Sequence, residues 1–550
     1  MMKKSLVFLS TTAVLLMAVQ SVSGDADPVS SLSATIIVDN TADTGPGSLR
    51  QAIIDAIVNP GPDTVAFAIP KTDPGFDSVM GVWTIQPASF LPALSGDETV
   101  IDGRTQAEFV GEDTNPLGPE IEIDGTNAGT NGFGFYLSGE ANQVLYLAIN
   151  RFDGAGIYTY EAAWGYVAGC YIGTDATGRV AAGNLFGVAI DAGSVRMHVV
   201  PLDTVPNVIC GNKTAGISMN DSSKHNIILG NLIGVTSDRS DTLGNGWGGV
   251  SILNNSDSNQ VIDCWIGGSV SGVGIGRAHG NTIVNNFIGT SPDRQTQLGN
   301  TENGIVITQG SKYNRVIENV ISHNAWNGIQ VSDSSTMYNT LSRNGISRNT
   351  LEGIYLRRGA NMDIAAPVIL SATVNQITGT ASAGDTVECF ADPEDEGEIY
   401  LGTALADGSG DFTLTLGQPI PPLGYVTATA RDASGNTSGF SSAFAYTPTS
   451  VESEGALPRE FTLSQNYPNP FNPSTVIGFA LPEKAFVRLE VVNVAGQRLA
   501  ILVDTEMESG YHEAVFSAEK LSSGIYFYRL TAAAGTGRSF TSVRKMLLVR

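Results

Sequence analysis

Two short motifs alternate over residues 142–360, and this repeat restricts the fold more than any other feature of the chain. One motif starts with Asn, continues with apolar residues and ends with Ile and a small residue, as at 226–234 and 281–289. The other is Gly, a β-branched residue, a variable residue and an apolar one, as at 249–252 and 304–307. Apolar residues at alternate positions indicate short strands, and Gly and Asn are suited to turns through positive φ. The repeat therefore predicts many short strands joined by tight turns.

A strand of this kind cannot bury its apolar face alone, whereas stacking successive units buries it. The repeat therefore predicts a parallel β-helix with rungs ~4.8 Å apart. We expect one buried ladder of side-chain amides between the rungs, formed by asparagines that recur at one register: Asn212, Asn231, Asn286, Asn319 and Asn344. These asparagines are interpreted as structural rather than catalytic.

Three long, mutually similar inserts follow Gly173, Gly234 and Gly289, on alternate rungs. They are expected to leave one edge of the solenoid as three loops spaced by two rungs, or ~10 Å. Upstream, residues 48–56 have the pattern of a helix, and this helix is predicted to cap the exposed end of the solenoid.

The segment 35–53, with its core Gly-Ser-Leu-Arg-Gln-Ala-Ile, resembles the opening of many bacterial secreted right-handed β-helix proteins. The downstream phrase Ile-Gly-Thr-Asp at 172–175 is similar to the same group. The resemblance covers residues 34–360 and implies a right-handed β-helix there. It implies no single function, because this fold carries many.

Residues 366–447 alternate short strands with turns, which predicts an immunoglobulin-like β-sandwich of the kind that usually acts as a spacer. This segment holds an acidic run, comprising Asp392, Glu394, Asp395, Glu396 and Glu398. Carboxylate oxygens bind calcium, so calcium is one interpretation of the run, but a solvated loop is favoured. No cofactor is predicted otherwise.

A linker at 448–458 leads to residues 459–550, where the phrases at 463–473, 521–530 and 545–550 resemble the type A C-terminal sorting domain of type IX secretion cargo. The resemblance implies that the type IX machinery is the partner of this domain and that the protein reaches the cell surface through the periplasm. From the residues alone, the segment is another small β-sandwich. The predicted fold class is thus all-β, a parallel β-helix followed by two small sandwiches.

The N-terminus supports export, because residues 1–24 combine basic residues, a short apolar core and small residues, as a signal peptide does. The apolar core is shorter than the ~20 residues that a membrane-spanning helix needs, so the mature protein is expected to have no such helix. The formal charge of −24 argues against nucleic acid as a partner.

Catalytic signals are weak. Arg277, His279 and His323 are the basic residues that a polysaccharide lyase or hydrolase on this solenoid could use. The motifs that accompany such residues in polygalacturonases are absent. A turn or solvent-facing role is therefore favoured for both histidines. No cysteine spacing indicates a metal site. Buried packing is expected for the cysteines, and Cys170 and Cys264 are placed three rungs apart in one register.

Aromatic residues give a better indication of a ligand, because sugar rings stack on exposed aromatic faces. Trp247 and Trp326 each stand two residues before a strand glycine, which places both at one corner of the solenoid. Packing against a neighbouring rung is nevertheless the favoured interpretation of both tryptophans, and sugar binding is the alternative. The sequence therefore predicts a secreted, surface-associated protein with a recognition or structural role and with extracellular polysaccharide as the leading ligand. The rival hypothesis is a polysaccharide lyase or glycoside hydrolase.

Overall fold

The computed structural model describes residues 33–446, 458, 460–466, 469, 471–494, 496–518 and 521–548. The predicted signal peptide at 1–24 lies outside the described residues, as does all of the predicted linker except residue 458.

Three sheets wind around one apolar core in the N-terminal two thirds of the chain, and from the strand Thr99–Asp102 onward each rung contributes one strand to each sheet in turn. Sheet 1 has eleven parallel strands: Ala34–Val38, Asp63–Phe67, Thr99–Asp102, Gln143–Leu145, Tyr166–Ala168, His198–Val200, Ile227–Leu229, Gln260–Ile262, Thr282–Val284, Arg315–Ile317 and Thr340–Ser342. Sheet 2 has eleven strands, of which only the first is antiparallel to its neighbour: Phe76–Asp77, Val82–Ile85, Ile121–Asp124, Ala148–Asn150, Tyr171–Ile172, Val208–Ile209, Leu232–Ile233, Trp265–Ile266, Phe287–Ile288, Val320–Ser322 and Gly345–Ser347. Sheet 3 has nine parallel strands: Phe135–Leu137, Ala155–Tyr160, Phe186–Asp191, Ala215–Met219, Gly248–Leu253, Ser271–Gly276, Ile305–Thr308, Ile329–Ser332 and Ile354–Arg357.

This arrangement confirms the predicted parallel β-helix. We call the turns corner 1–2, corner 2–3 and corner 3–1, after the sheets that they join. Along each strand, inward Ile, Val and Leu side chains are buried and alternate with outward side chains, because successive side chains of a strand point to opposite faces.

Buried asparagine ladders run along all three corners. Corner 1–2 carries Asn207, Asn231, Asn286, Asn319 and Asn344; corner 2–3 carries Asn184, Asn212, Asn245, Asn300, Asn324 and Asn349; corner 3–1 carries Asn226, Asn259, Asn281, Asn314, Asn339 and Asn361. In a typical step, Asn286 Nδ2 donates to Asn319 Oδ1 at 2.9 Å. The expectation of one ladder is therefore wrong, since Asn212 lies at corner 2–3 and the other four lie at corner 1–2.

Cysteine and bulky residues also occupy these corners. Cys170 and Cys264 take positions in the column of corner 1–2, three rungs apart as predicted, and burial raises the pKa of both thiols to about 12. All four cysteines are buried and free.

Positive φ is not confined to Gly and Asn: Tyr338 (φ 63°) and Arg343 (φ 53°) adopt it just before ladder asparagines. We infer that the ladder hydrogen bonds hold the turn and offset the strain of these residues.

The predicted N-terminal cap is the helix α1, Leu49–Val58, whose N-cap Ser48 accepts a hydrogen bond from Gln51 N. Its apolar side buries Leu49 and Ile53 against the first two strands of sheet 1. A second, short helix, α2 (Thr105–Val110), was not predicted. It packs through the buried Gln106, whose amide bonds both the N–H and the carbonyl of Ile69.

The three inserts leave sheet 2 after alternate strands, as predicted. Each is closed by an antiparallel bridge: Thr174 with Ala181, Val235 with Thr242, and Thr290 with Gln297. Successive inserts touch, since Ser237 N donates to Gly178 O at 3.1 Å.

Two antiparallel sheets follow the solenoid. One has Val368–Thr373, Gln376–Thr380 and Asp411–Thr415, and the other has Ile399–Leu405, Thr386–Asp392, Tyr425–Arg431 and Phe444–Ala445. Their core includes Ile377, Val387, Phe412 and Val426, all buried. This sandwich is more than a spacer, because its loops contact the last rung of the solenoid.

Acceptors from the sandwich satisfy N–H groups at that last rung. The Glu388 carboxylate accepts from Ser342 Oγ at 2.6 Å and Arg343 N at 2.8 Å. The Glu396 carboxylate accepts from Asn349 Nδ2 at 3.0 Å and from Asn349 N at 3.1 Å, so it ends the ladder of corner 2–3. Exposed strand edges invite pairing with other chains, and the sandwich covers this one.

The C-terminal part forms two further antiparallel sheets. These are Thr462–Leu463, Ser474–Leu481 and Gly510–Ser517, and then Arg498–Met507, Ala485–Asn493, Gly524–Ala534 and Ser539–Leu548. Over the residues that the structure describes, no helix has the length and apolar character needed to cross a membrane.

Candidate functional site

A trough with a volume of about 690 Å³ lies on the outward face of sheet 3. Its floor comes from one outward position in successive strands, occupied in register by Ser218, Ser251 and Gly274. These side chains are small, and a Cβ added to Gly274 would meet no atom within 4 Å. The same position holds the longer Gln330 further along the sheet, so the depression follows from the choice of small residues in mid-sheet.

Trp247 and Trp326 line the trough at corner 2–3, and their side chains are 74% and 43% exposed. The backbone register confirms that they share this corner. Ser271 N donates to Trp247 O, Glu302 N to Val270 O and Trp326 N to Glu302 O. The two indoles are therefore three rungs apart, roughly 14 Å. Trp247 is mostly in solvent and is not packed against a neighbouring rung, whereas Trp326 is partly packed and keeps less than half of its surface exposed.

The other lining groups are mostly uncharged donors and acceptors, including Asn220, Asn254 and Gln330. Every lining residue lies within the described range 33–446, and among them Glu302 is the only acid or base. Apolar surface with a few amides and hydroxyls is the composition of ligand pockets in general.

An aromatic cluster lies on the same face toward the N-terminal rungs. Phe133 stacks on Tyr158 with centroids 4.5 Å apart, and Tyr136 lies edge-on to Tyr158 at 5.3 Å. Tyr160 extends the cluster and is 40% exposed. Burial, with Asp191 nearby, raises the pKa of Tyr158 to about 12, so its hydroxyl stays protonated as a donor. Sequence reasoning missed this cluster because its members come from different rungs.

The structure does not bring the three basic candidates together. Arg277 and His279 lie at corner 3–1, and His323 lies at corner 2–3. His279 holds a turn: its Nδ1 accepts from Lys312 N at 3.1 Å and its N–H donates to Asp257 at 2.8 Å. Burial, followed by the positive charge of Arg348, lowers the pKa of His323.

A second concavity of about 580 Å³, which we call the arginine groove, is lined by residues of the solenoid, of the sandwich and of the C-terminal domain, the last being Asn469, Phe471 and Asn472. Glu398 of the sandwich pairs with Arg294 at 3.0 Å and with Arg348 at 3.8 Å. Arg343 pairs with Glu318 at 3.2 Å. The three arginines of the groove are therefore each paired with a glutamate, whereas Asp293 accepts hydrogen bonds from uncharged groups such as Ser291 Oγ. Of these ion-pairing residues, Glu398 belongs to the acidic run noted in the sequence, but the run does not indicate its arginine partners.

The acidic run is used within the protein. The Asp392 carboxylate accepts from the backbone N–H groups of Glu394, Glu396 and Glu398 at 2.7 to 3.3 Å. Glu396 and Glu398 in turn contact the solenoid. In the described part of the chain, no group of three or more His, Cys, Asp or Glu is arranged to hold a metal ion.

Comparison with protein families identifies three regions. The family described as a right handed beta helix region matches residues 234–388, a bacterial Ig domain matches 365–446, and a secretion system C-terminal sorting domain matches 465–542. No curated protein matches the chain.

Several solved structures resemble the chain at low identity. The A-module of a mannuronan C-5 epimerase from Azotobacter vinelandii is 14% identical, covers 60% of this chain and 98% of its own, and has a TM-score of 0.36. An open-reading-frame product of Geobacillus virus E2 is 11% identical, covers 78% of this chain and 80% of its own, and has a TM-score of 0.36.

The C-terminal sandwich has its own apolar core, separate from that of the solenoid. The match to a sorting domain gives this sandwich a role in secretion. Such a domain marks a protein for handling by type IX secretion. The chain is therefore a secreted right-handed β-helix protein with a bacterial immunoglobulin-like domain and a type IX sorting domain, destined for the cell surface or the extracellular space.

Proposed function

We propose that the protein recognises an extracellular polysaccharide through the trough on sheet 3, with Trp247 and Trp326 as stacking platforms. The observation that carries the proposal is the pair of exposed indoles bordering a depression floored by small residues. Leaving a tryptophan 74% exposed forgoes the free energy of its burial, and exposed aromatic surface beside a cleft is typical of a ligand site.

Recognition fits the trough better than catalysis. A lyase needs a base to abstract a proton, and a glycoside hydrolase needs two carboxyl groups across the scissile bond. Among the residues lining the trough, which all belong to the described part of the chain, Glu302 is the one ionisable group. Arg277 and His279 lie at another corner, and the arginines of the second concavity are paired.

The test is binding of the full chain to immobilised polysaccharides, with cleavage measured in the same samples. We expect retention on at least one polysaccharide without new reducing ends or unsaturated products. The double variant Trp247→Ala/Trp326→Ala should weaken binding at least tenfold, about 1.4 kcal/mol, because both stacking faces are lost.

Trp164→Ala is the matched control. Trp164 is similarly exposed, at 47%, but lies at corner 3–1, where Arg196 covers its ring at 4.8 Å. Its replacement should leave retention unchanged. Equal binding by the double variant would refute the trough as the site, and product formation that survives in repeated preparations would replace recognition by the enzyme hypothesis.

A further inference from the structure

The class of polysaccharide follows from the charges and the length of the face that contains the trough. We propose that the face takes a long, uncharged polysaccharide chain lying along the solenoid axis, and that it discriminates against uronate polymers. This inference rests on the proposed function and specifies its ligand.

The charges of the face are negative. Glu302 lies on the rung next to that of Trp326 and is the charged group of the trough. Toward the N-terminal rungs, Asp191, Asp221 and Glu161 lie close enough to influence the tyrosine hydroxyls of the cluster. Lys213, which precedes Thr214 on the same corner, is exposed but does not line the trough.

A uronate polymer carries a carboxylate on each sugar. Like charges at an exposed site repel within the Debye length, about 8 to 10 Å at moderate salt, and no lining cation offsets that repulsion here. An uncharged sugar avoids this cost. It offers hydroxyl groups to the amides and hydroxyls of the trough and apolar C–H faces to the indoles.

The length of the face favours an extended chain over a short sugar. The outward position of sheet 3 runs in register from Tyr136 and Tyr158, through the small residues of the trough, to Gln330. These eight strands span seven rung spacings, roughly 34 Å. Tyr136 and Tyr158 thus stand at the N-terminal end of this strip, with the exposed Tyr160 two residues further along its strand, and Trp326 lies at corner 2–3 beside the other end.

The experiment compares the full chain on neutral and acidic polymers of similar length, at low and high salt. The neutral probes are a soluble β-glucan and a galactomannan, and the acidic probes are alginate and polygalacturonate. We expect at least one neutral polymer to bind tenfold or more tighter than either uronate at low salt, with the difference shrinking as salt screens the repulsion.

Two variants test the cause. Glu302→Lys should raise uronate affinity by about fivefold at low salt without strengthening neutral binding. Glu108→Lys, at an exposed position of α2 away from sheet 3, makes the same change in net charge and should have no effect. Tyr160→Ala should weaken binding of the polymer but not of a short oligosaccharide of the same linkage.

The outcomes separate the two proposals. Uronates that bind as tightly as the neutral polymers, with binding still lost in Trp247→Ala/Trp326→Ala, overturn the charge inference and leave the proposed function standing. If oligosaccharide and polymer respond alike to Tyr160→Ala, the extended site is wrong. If no polymer binds at all, the proposed function itself fails.

Discussion

The trough and the arginine groove have similar volumes, about 690 and 580 Å³, but they differ in whether their functional groups already have partners within the protein. In the groove, Arg294, Arg343 and Arg348 are paired with Glu318 or Glu398. In the trough, Trp247 is mostly exposed to solvent and Trp326 is partly exposed. The groove lies where the solenoid, the sandwich and the C-terminal domain meet, whereas the trough leaves aromatic surface open to solvent, as the proposed ligand site requires.

A concave surface alone therefore does not identify a ligand-binding site. A charged cluster attracts attention first, but groups that are matched within the protein have little left to offer a ligand. The two regions are also held by different forces. Ion pairs across a domain boundary shape the groove, and the buried amide ladder of corner 2–3 lies under the edge of the trough. The following predictions separate these forces, in order of decreasing effect.

Asn300→Ala should lower the free energy of unfolding by about 3 kcal/mol. The Asn300 amide accepts from Ser269 N at 3.2 Å and donates to Asn324 Oδ1 at 2.8 Å, so its loss leaves buried polar groups without partners. Denaturant unfolding measures the change. Thr301→Ala, at the exposed neighbouring position, should cost less than about 0.5 kcal/mol. Equal effects of the two substitutions would contradict a stabilising ladder.

Glu398→Ala should cost about 2 kcal/mol, because it leaves the Arg294 guanidinium, whose side chain is only 20% exposed, without its carboxylate. Glu318→Ala is the matched control: the Arg343–Glu318 pair is about half exposed on both sides, so its loss should cost about 0.5 kcal/mol. Calorimetry of the full chain measures both. Neither variant should alter polysaccharide retention, and a loss of retention in Glu398→Ala would move the site to the groove.

The free energy of unfolding should depend on pH through Glu396, which ends the ladder of corner 2–3. Burial raises the pKa of Glu396 from 4.5 to about 8, against the opposing hydrogen bonds from Asn349. The folded state therefore favours the protonated carboxyl, and its stabilising contribution is complete below pH 4.5 and is lost as the pH rises through 8. Glu396→Gln copies the neutral form and should show a smaller fall in unfolding free energy over this range. Parallel pH curves for the two proteins would exclude Glu396 as the source.

Much of the solenoid could be predicted from sequence because its repeat is local. The position of Trp247 and Trp326 two residues before strand glycines was sufficient to place both at one corner. Asn212 was misplaced because it follows Asn207 by the same five positions that separate Asn226 from Asn231. The structure pairs Asn207 with Asn231, since a turn closed by Leu202 and Val205 lengthens that rung.

Other features depend on contacts between distant parts of the chain. Glu398 and Arg294 are 104 residues apart, and only the docking of the sandwich brings them together. The aromatic cluster likewise arises from residues that look unrelated until the rungs are stacked in register. The helix α2 has six residues, too few for an apolar periodicity to show.

Oxidative footprinting of the tryptophans, read by mass spectrometry with and without a bound neutral polysaccharide, shows whether Trp247 and Trp326 contact the ligand. Trp247 and Trp326 are 74% and 43% exposed, and Trp164, at 47%, serves as the control within the same molecule. If the trough is the binding site, we expect the polysaccharide to protect Trp247 and Trp326 from oxidation and to leave Trp164 as reactive as before. Unchanged oxidation of Trp247 and Trp326 in the complex would contradict the trough as the binding site.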